Sequence, residues 1–516
     1  MASETNDDLA GTTPPTRTER FLAAAFASPV RLFALCFAWF SAWAWMRPLA
    51  VPDEGRYTDI ARWMVTSGDW LVPRLDGIAF LHKPPLYFWI ESAFVAILGT
   101  SPWVARLTSL LAAALMCMAS AWFVRHWLGE RAARWTLAVL VFNPLLVLGA
   151  QYANLDMLVA AWIGVTILLA AHAALSPPER QRPWWMAAYA SAALAMLAKG
   201  LIGFVLPGAV FVAWCLAERQ PRRILAGLSA VGLLAFAVVV VPWFVAVERA
   251  TPGFLHYFFI HHHLERFVQT SFNNVHGAWF YPAVLALGLL PWTALAWAAV
   301  RAGWRATGTR RSLTLLGLVW FILILVFFSL PPSKLAGYIL PVLPAFALVV
   351  GPWVAQWAPR RRIAWGAAVL SAALALALVP AQKDLPARLA VQVKAQIGPQ
   401  DRVAFLDAYY FAVPLVLGRD QVVEVVGDWS TPGAQLPDNW RRELKEGAEF
   451  DPRHAQALVS VEAFRASLEA KPGVVWLFAG AEDAAQQPWL ATWQRVAEQG
   501  GYVVLRFTPP AAAVKP

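Results

Sequence analysis

Charge is what this chain has least of. Only 14% of its 516 residues are Asp, Glu, Lys or Arg, against about a quarter in ordinary soluble domains. With 59% hydrophobic residues and 28 tryptophans, that scarcity argues against a string of soluble domains and makes a bilayer the natural solvent. Cysteine is nearly absent. Cys36, Cys117 and Cys215 all fall inside apolar runs, so neither a disulfide framework nor a cysteine metal site is expected. Glycine-rich phosphate loops and dinucleotide fingerprints are missing, which disfavours a soluble nucleotide donor. No cleavable signal peptide is expected, because the first long apolar run has no convincing cleavage site after it.

What is present is basic and apolar. The net charge of +10 would suit nucleic acid, but its placement argues for no nucleic-acid partner. The arginines gather in short connections between apolar runs: Arg125, Arg131 and Arg134; Arg180 and Arg182; Arg219, Arg222 and Arg223; Arg301, Arg305, Arg310 and Arg311; Arg360, Arg361 and Arg362. Short basic loops are expected on the cytoplasmic side of a membrane.

A spanning helix needs about 20 mostly apolar residues. Candidate spans lie near 32–46, 103–124, 135–150, 157–175, 184–198, 201–217, 224–247, 279–300, 312–330, 335–352 and 363–380. The expected architecture is therefore an α-helical polytopic membrane protein with about 11–13 transmembrane helices, in contact with membrane lipids. Starting with residues 1–30 in the cytoplasm puts every arginine-rich loop inside. It also puts segments 47–102 and 248–278, and the turns near Tyr152–Asp156, Lys199–Gly200 and 331–334, at the outer surface.

The membrane domain should occupy 31–380, followed outside by a soluble α/β domain over 381–516. There charge rises, and β-rich runs at 402–406, 421–426, 473–478 and 502–508 alternate with helix-like stretches at 459–470 and 484–498. Within the outer segment 47–102, residues 57–66 and 85–98 have the character of juxtamembrane helices lying in the interface.

Chemistry-bearing residues gather on that outer side. Asp53 and Glu54 follow the first span, with Arg56 and Tyr57 beside them and Lys83 further along. Two adjacent carboxylates are a candidate base or metal site; the plain alternative is a solvated helix start, which Asp and Glu favour. Lys199 and Asp156 sit between apolar runs, where ionisable side chains are costly and mark functional sites by default. Snorkelling to headgroups is the alternative for Lys199 and for Lys334.

These motifs resemble a known family. Asp53-Glu54-x-Arg56-Tyr57, Gly68-Asp69-Trp70-x-x-Pro73 and Lys83-Pro84-Pro85-x-x-x-Trp89 are similar to the first outer loop of the lipid A aminoarabinose transferases. That family lies within the protein O-mannosyltransferase-like superfamily. The resemblance continues in order through Asn154-x-Asp156, Ala198-Lys199-Gly200, Phe258-Phe259, His263-x-x-Arg266-Phe267 and Ser333-Lys334-x-x-x-Tyr338-x-x-Pro341. It implies a GT-C glycosyltransferase fold with a C-terminal periplasmic α/β domain. It also implies an undecaprenyl phosphate-linked amino-sugar donor, a lipid A acceptor and transfer with inversion at the periplasmic face of a bacterial inner membrane.

By that resemblance Asp53, with Glu54 and Asp156, belongs to the catalytic set. Arg56, Tyr57, Lys83, Lys199, Arg266, Lys334 and Tyr338 would hold the donor phosphate. The chemistry agrees, since cleaving a glycosyl–phosphate bond leaves negative charge on the departing phosphate, which placed cations stabilise. Arginine grips phosphate oxygens bidentately and lysine acts as a point charge.

Histidines stand at His82 and at His262-His263, where relatives of this kind carry Glu and Glu-His. A zinc-type site on His82, His262 and His263 is one reading of them, and solvated interfacial histidines the other; no cofactor is required by the chemistry. Two further readings of the whole chain are a protein O-mannosyltransferase-like enzyme and a lipid-sugar transporter without chemistry.

Overall fold

The computed structural model describes residues 24–260, 274–357, 359–381, 384–471 and 473–509. The outer segment follows α1 (Pro29–Ser41). It contains α2 (Asp53–Ser67), a short hairpin of β1 (Arg74–Leu75) and β2 (Ile78–Ala79), and α3 (Leu86–Leu98). The bundle continues through α4 (Pro102–Leu128), α5 (Glu130–Val141), α6 (Pro144–Ala150), α7 (Leu155–Leu175), α8 (Pro178–Lys199), α9 (Ile202–Ala217), α10 (Arg222–Gly227) and α11 (Ala230–Ala250). It closes with α12 (Phe280–Gly288), α13 (Thr293–Arg305), α14 (Gly308–Ser329), α15 (Leu343–Val354) and α16 (Arg360–Ala381).

Each of the eleven apolar runs is helical, but not each is a simple span. Among the described residues six helices are long and apolar enough to cross a membrane, or eight if each of two bent pairs is one span. The bend has a sequence cause in the first pair: α5 and α6 meet at 62° across Phe142-Asn143. Asn143 caps α6 through its side chain, accepting from Leu146 N at 3.1 Å, and Pro144 follows as the first helical residue. An extended asparagine before proline stops one helix and starts the next. The remaining runs form α1, α8 and α9, which are shorter or begin with the polar Glu179-Arg180-Gln181-Arg182 stretch.

The two ends of the bundle differ in chemistry. Near one end Arg131 Nε donates to Ala355 O at 3.1 Å, Arg360 lies over the Trp135 ring and Arg125 reaches Phe26 O. At the other end of α4 stands Arg106, fully buried under the outer segment. The arginine-rich turns and the acidic motifs are thus separated by the length of a span, about 1.5 Å per residue.

After α16 the chain enters the tail domain. It contains α17 (Leu385–Val393), β3 (Arg402–Leu406), α18 (Val413–Leu417), β4 (Glu424–Val426), α19 (Trp440–Phe450), β5 (Leu458–Val459), α20 (Val461–Ala470), β6 (Val475–Gly480), β7 (Gln494–Gln499) and β8 (Tyr502–Phe507). The sheet order is β5-β4-β3-β6-β8-β7, parallel from β5 to β6 and antiparallel at β8 and β7. Val403 to Leu406 are buried without alternation, as befits a parallel strand covered on both faces. The four expected strand runs are present and 461–470 is helical, but 484–498 is not one helix. It ends in the edge strand β7, whose residues pair with β8; the hairpin partner overrides local helical preference.

Helix α2 also departs from expectation. It does not lie flat on an interface, because Tyr57, Ile60, Ala61 and Met64 are buried with Glu54, Thr58, Asp59 and Arg62. It is sandwiched between bundle and tail domain. Asp59 ties α2 to the tail domain, pairing with Arg62 of its own helix at 2.8 Å and accepting from Tyr409 O–H at 3.2 Å. Asp76 accepts from Val423 N at 2.9 Å. Helix α19 packs so closely on the β2 hairpin that a Cβ on Gly447 would collide with Ala79 O. The tail domain is docked, not tethered.

Candidate active site

The N-terminus of α2 presents two carboxylates that fold in opposite directions. Glu54 is fully buried. Its Oε1 accepts from Arg106 Nε at 2.9 Å, Arg47 Nη2 at 3.1 Å and Ala153 N at 2.8 Å. Its Oε2 accepts from Arg106 Nη2 and Arg47 Nη1, both at 2.7 Å, and from Ala50 N at 2.6 Å. Burial alone would raise its pKa, but Arg106 and Arg47 hold it below the usual carboxylate range. No lone pair is left for a substrate. We therefore assign Glu54 to the scaffold rather than to the catalytic set, as the clamp that ties α2 to α4 and to the connection before α7.

Asp53, one residue earlier, keeps part of its carboxylate exposed, with 19% of its side-chain surface accessible. Oδ2 accepts from Asn154 Nδ2 at 2.9 Å and from Tyr152 O–H at 3.3 Å. Oδ1 pairs with Arg56 one helical turn on. Asn154 has two roles, since its Oδ1 also caps α7 by accepting from Asp156 N at 2.9 Å. The Asn154-x-Asp156 motif is thus a helix start whose capping residue aims Asp53.

Arg56 is shared. Besides Asp53 it pairs with Glu443 on α19, and its guanidinium lies 5.2 Å from the centroid of Tyr57 and 5.8 Å from that of Phe411. Burial would lower its pKa, but Glu443, Tyr57 and Asp53 raise it well above the ordinary value, so it stays cationic. Tyr57 is buried in an aromatic cluster with Tyr87 and Phe88, each 5.8 Å away. Burial and then Asp53 push its phenol up strongly, with Glu443 and Asp156 adding to the effect. It is a neutral donor within electrostatic reach of both carboxylate motifs.

Asp156 and Lys199 form the second half of the site as an ion pair between α7 and α8. The Lys199 ammonium stands 4.1 Å from the centroid of the Tyr338 ring. With Gly337, Phe328 and Pro341 these residues line a small cavity. Gly337 is required by contact, because a Cβ there would collide with Asp156 Oδ2. Lys199 is therefore not a snorkelling anchor.

Lys334 differs from its expected role. It is buried, and its ammonium donates to Pro331 O at 2.5 Å and His276 O at 2.9 Å. Those carbonyls, with Pro332 O at 3.5 Å, engage its N–H donors, so Lys334 clamps the turn here while its charge is kept. Lys83 is half-buried just before α3. His82 is stacked on Phe80, with Nε2 3.2 Å from Tyr257 Oη and 3.8 Å from Glu446 Oε2. Among the described residues no group of three His, Cys, Asp or Glu side chains is arranged to hold a metal. Arg266, His262 and His263 lie outside the described residues.

Sequence reasoning missed Arg47, Arg106, Tyr152 and Glu443. Arg106 carried a signal, as a lone cation inside an apolar run. Glu443 carried none: it is an ordinary helix residue in the tail domain, brought to Arg56 by docking alone.

Residues 82–246 match the family model described as dolichyl-phosphate-mannose-protein mannosyltransferase. The chain is 34% identical over 324 residues to undecaprenyl phosphate-alpha-4-amino-4-deoxy-L-arabinose arabinosyl transferase 1 of Sodalis glossinidius, covering 61% of this chain and 57% of that protein. It is 30% identical over 310 residues to the transferase of that name from Pseudomonas aeruginosa, covering 60% of this chain and 56% of the relative. The chain thus matches a little over half the length of these curated relatives.

In three dimensions it is similar to ArnT from Cupriavidus metallidurans bound to undecaprenyl phosphate. The TM-score is 0.81 at 24% identity, covering 96% of this chain and 100% of that one. A more distant likeness is to the Archaeoglobus fulgidus oligosaccharyltransferase, with a TM-score of 0.52 at 12% identity, covering 90% of this chain and 70% of that one. The fold is the GT-C fold of ArnT, in a multi-pass membrane protein.

Proposed function

We propose that this protein is a glycosyltransferase that moves 4-amino-4-deoxy-L-arabinose from undecaprenyl phosphate to a lipid A phosphate, with inversion. The site would open on the periplasmic face of a bacterial inner membrane, with 31–380 as the membrane catalytic domain and 381–516 as the periplasmic domain. The observation that carries this reading is Asp53. It is a part-exposed carboxylate aimed by Asn154 and Tyr152, at the bundle end that carries the Asp156–Lys199 pair. The relatives' shared name supplies the sugar and carrier, and that name is theirs.

In this reading the donor phosphate meets Lys83, Arg56 and Arg266, with Lys199 and the hydroxyls of Tyr57 and Tyr338 nearby. Negative charge grows on the phosphate as the glycosyl bond breaks, and fixed cations and neutral donors stabilise it most at that moment. An acceptor phosphate is already ionised, so Asp53 need not remove a proton. It would orient the acceptor and stabilise positive charge developing at the anomeric carbon. Arg56, Asn154 and Tyr152 hold its two oxygens in place.

The test is mass spectrometry of lipid A from matched cells expressing the wild-type chain or Asp53→Asn. A pentosamine increment in wild type, absent from Asp53→Asn at equal membrane levels, is the expected result. Unmodified lipid A in both, with the donor present, would move the acceptor to a protein or another glycan. An increment that persists in Asp53→Asn would remove Asp53 from the reaction.

A further inference from the structure

One carboxylate oxygen beside Asp53 has no part in the transfer chemistry. Arg56 holds two carboxylates at once, Asp53 Oδ1 on Nη2 and Glu443 Oε1 on Nη1. Two nitrogens of one guanidinium are bonded to the same carbon, so the carboxylates are kept side by side. The second oxygen of Asp53 has Asn154 and Tyr152 as donors. The second oxygen of Glu443, Oε2, is shielded from solvent and has no donor, and Arg56 Nε has no acceptor. Buried carboxylate oxygens are nearly always hydrogen-bonded, and an exception calls for an explanation.

Charge points the same way independently. Within the Asp53–Arg56–Glu443 cluster two carboxylates face one guanidinium, a formal surplus of about one negative charge by counting, apart from the cations proposed to meet the donor phosphate. The neighbouring Asp156–Lys199 pair is neutral overall. A donor phosphate is itself anionic, so this surplus does nothing for its binding. It suits a positive group elsewhere on the donor.

Position adds a third reason. Glu443 lies in the first turn of α19, whose start is capped by Asn439 accepting from Arg441 N at 2.9 Å. The helix is fixed against the outer segment along its length. Tyr257 O–H donates to Glu446 at 2.5 Å and Arg74 reaches Asp451, just past the helix end, at 3.5 Å, while within the helix Arg442 Nε bonds the other oxygen of Glu446 at 2.7 Å. Glu443 is thus delivered to the site on a rigid element of another domain, which is how precise recognition is built.

We propose that Glu443 recognises the protonated amine of the transferred sugar, so that the tail domain reads the sugar while the membrane domain transfers it. The Glu443 side chain is 15% exposed; with Oε1 on Arg56, it turns Oε2 out to accept from the ammonium, a charge-assisted bond that a neutral hydroxyl does not replace. The inference rests on the amino-sugar transferase reading and gives the tail domain a place in it.

The experiment uses the full-length protein in proteoliposomes with lipid A and two donors: undecaprenyl phosphate carrying 4-amino-4-deoxy-L-arabinose, and its 4-hydroxy counterpart arabinose. Wild type should favour the amino donor. Glu443→Gln keeps the size and an oxygen for Arg56 but loses the charge. It should lose about tenfold to a hundredfold in kcat/KM on the amino donor, mainly through KM, the scale of one charge-assisted bond. On the hydroxy donor, which shares the Arg56 contact, its loss should be clearly smaller, so that the amino-to-hydroxy ratio of kcat/KM falls.

Glu443→Asp, which keeps the charge, should retain a preference for the amino donor and guards against misreading a folding defect. Equal losses on both donors would mean that Glu443 only holds Arg56, and would overturn the proposal. So would unchanged amino-donor kinetics in Glu443→Gln, or a wild type indifferent to the amine. A wild type that transfers neither sugar would overturn the transferase reading itself.

Discussion

Glu54→Gln should unseat the outer segment rather than switch off chemistry, and its neighbour Asp53→Asn should do the reverse. Three donors converge on each oxygen of Glu54, drawn from Arg47, Arg106 and the backbone N–H groups of Ala50 and Ala153. Glutamine has one oxygen and one NH2 group. Whichever way the amide turns, three donors then face another donor, and two buried guanidinium groups lose their counter-charge. Arg106 is fully buried and Arg47 is 4% exposed. Removing one partner of a buried ion pair costs about 3–5 kcal/mol.

The assay is the apparent unfolding temperature of the purified protein in detergent, read by tryptophan fluorescence at fixed scan rate. Glu54→Gln should unfold several degrees below wild type or fail to accumulate. Asp53→Asn, whose carboxylate is part-exposed, should unfold with wild type while yielding no modified lipid A. A Glu54→Gln protein as stable as wild type but inactive would refute the scaffold assignment and return Glu54 to the reaction.

Glu91, fully buried, and Gly337, which lines the cavity beside Asp156 and Lys199, offer two more tests. Glu91 on α3 accepts from Thr58 O–H at 2.8 Å, and burial pushes its pKa from 4.5 up to about 8. A carboxyl protonated in the fold loses stabilisation as pH rises between those two values and no more above the upper one; unfolding temperature should fall from pH 6 to pH 8, and Glu91→Gln should flatten that slope. Gly337→Ala drives a methyl into Asp156 Oδ2, which must displace the carboxylate from Lys199. Transfer should drop at least about tenfold, the scale of one lost charged contact, with a small change in unfolding temperature; full activity would show that the pair is dispensable.

Much of the fold is legible in the order of the amino acids. Apolar runs in a chain with little charge have one stable arrangement in a bilayer, because helices satisfy their own backbone hydrogen bonds there, and all eleven runs are helical. The tail domain is marked by a rise in charge and by short β-rich runs. What local pattern misjudges is decided by partners distant in sequence: β7 is a strand because β8 lies beside it, and α2 is buried because the tail domain covers it.

The site divides in the same way. Sequence by itself determined which residue types stand at the bundle end opposite the arginine-rich turns, and that the Asp53, Asp156 and Lys199 motifs belong together. Only the tertiary structure decided what each one does. Asp53 and Glu54 are neighbours in sequence, yet successive helical residues point about 100° apart, and one meets the open site while the other meets two arginines. Lys199 keeps a carboxylate partner while Lys334 is taken by backbone carbonyls, and Glu443 reaches Arg56 across 387 residues. A carboxylate or an ammonium takes its role from the charges and hydrogen bonds around it, and those come from the fold.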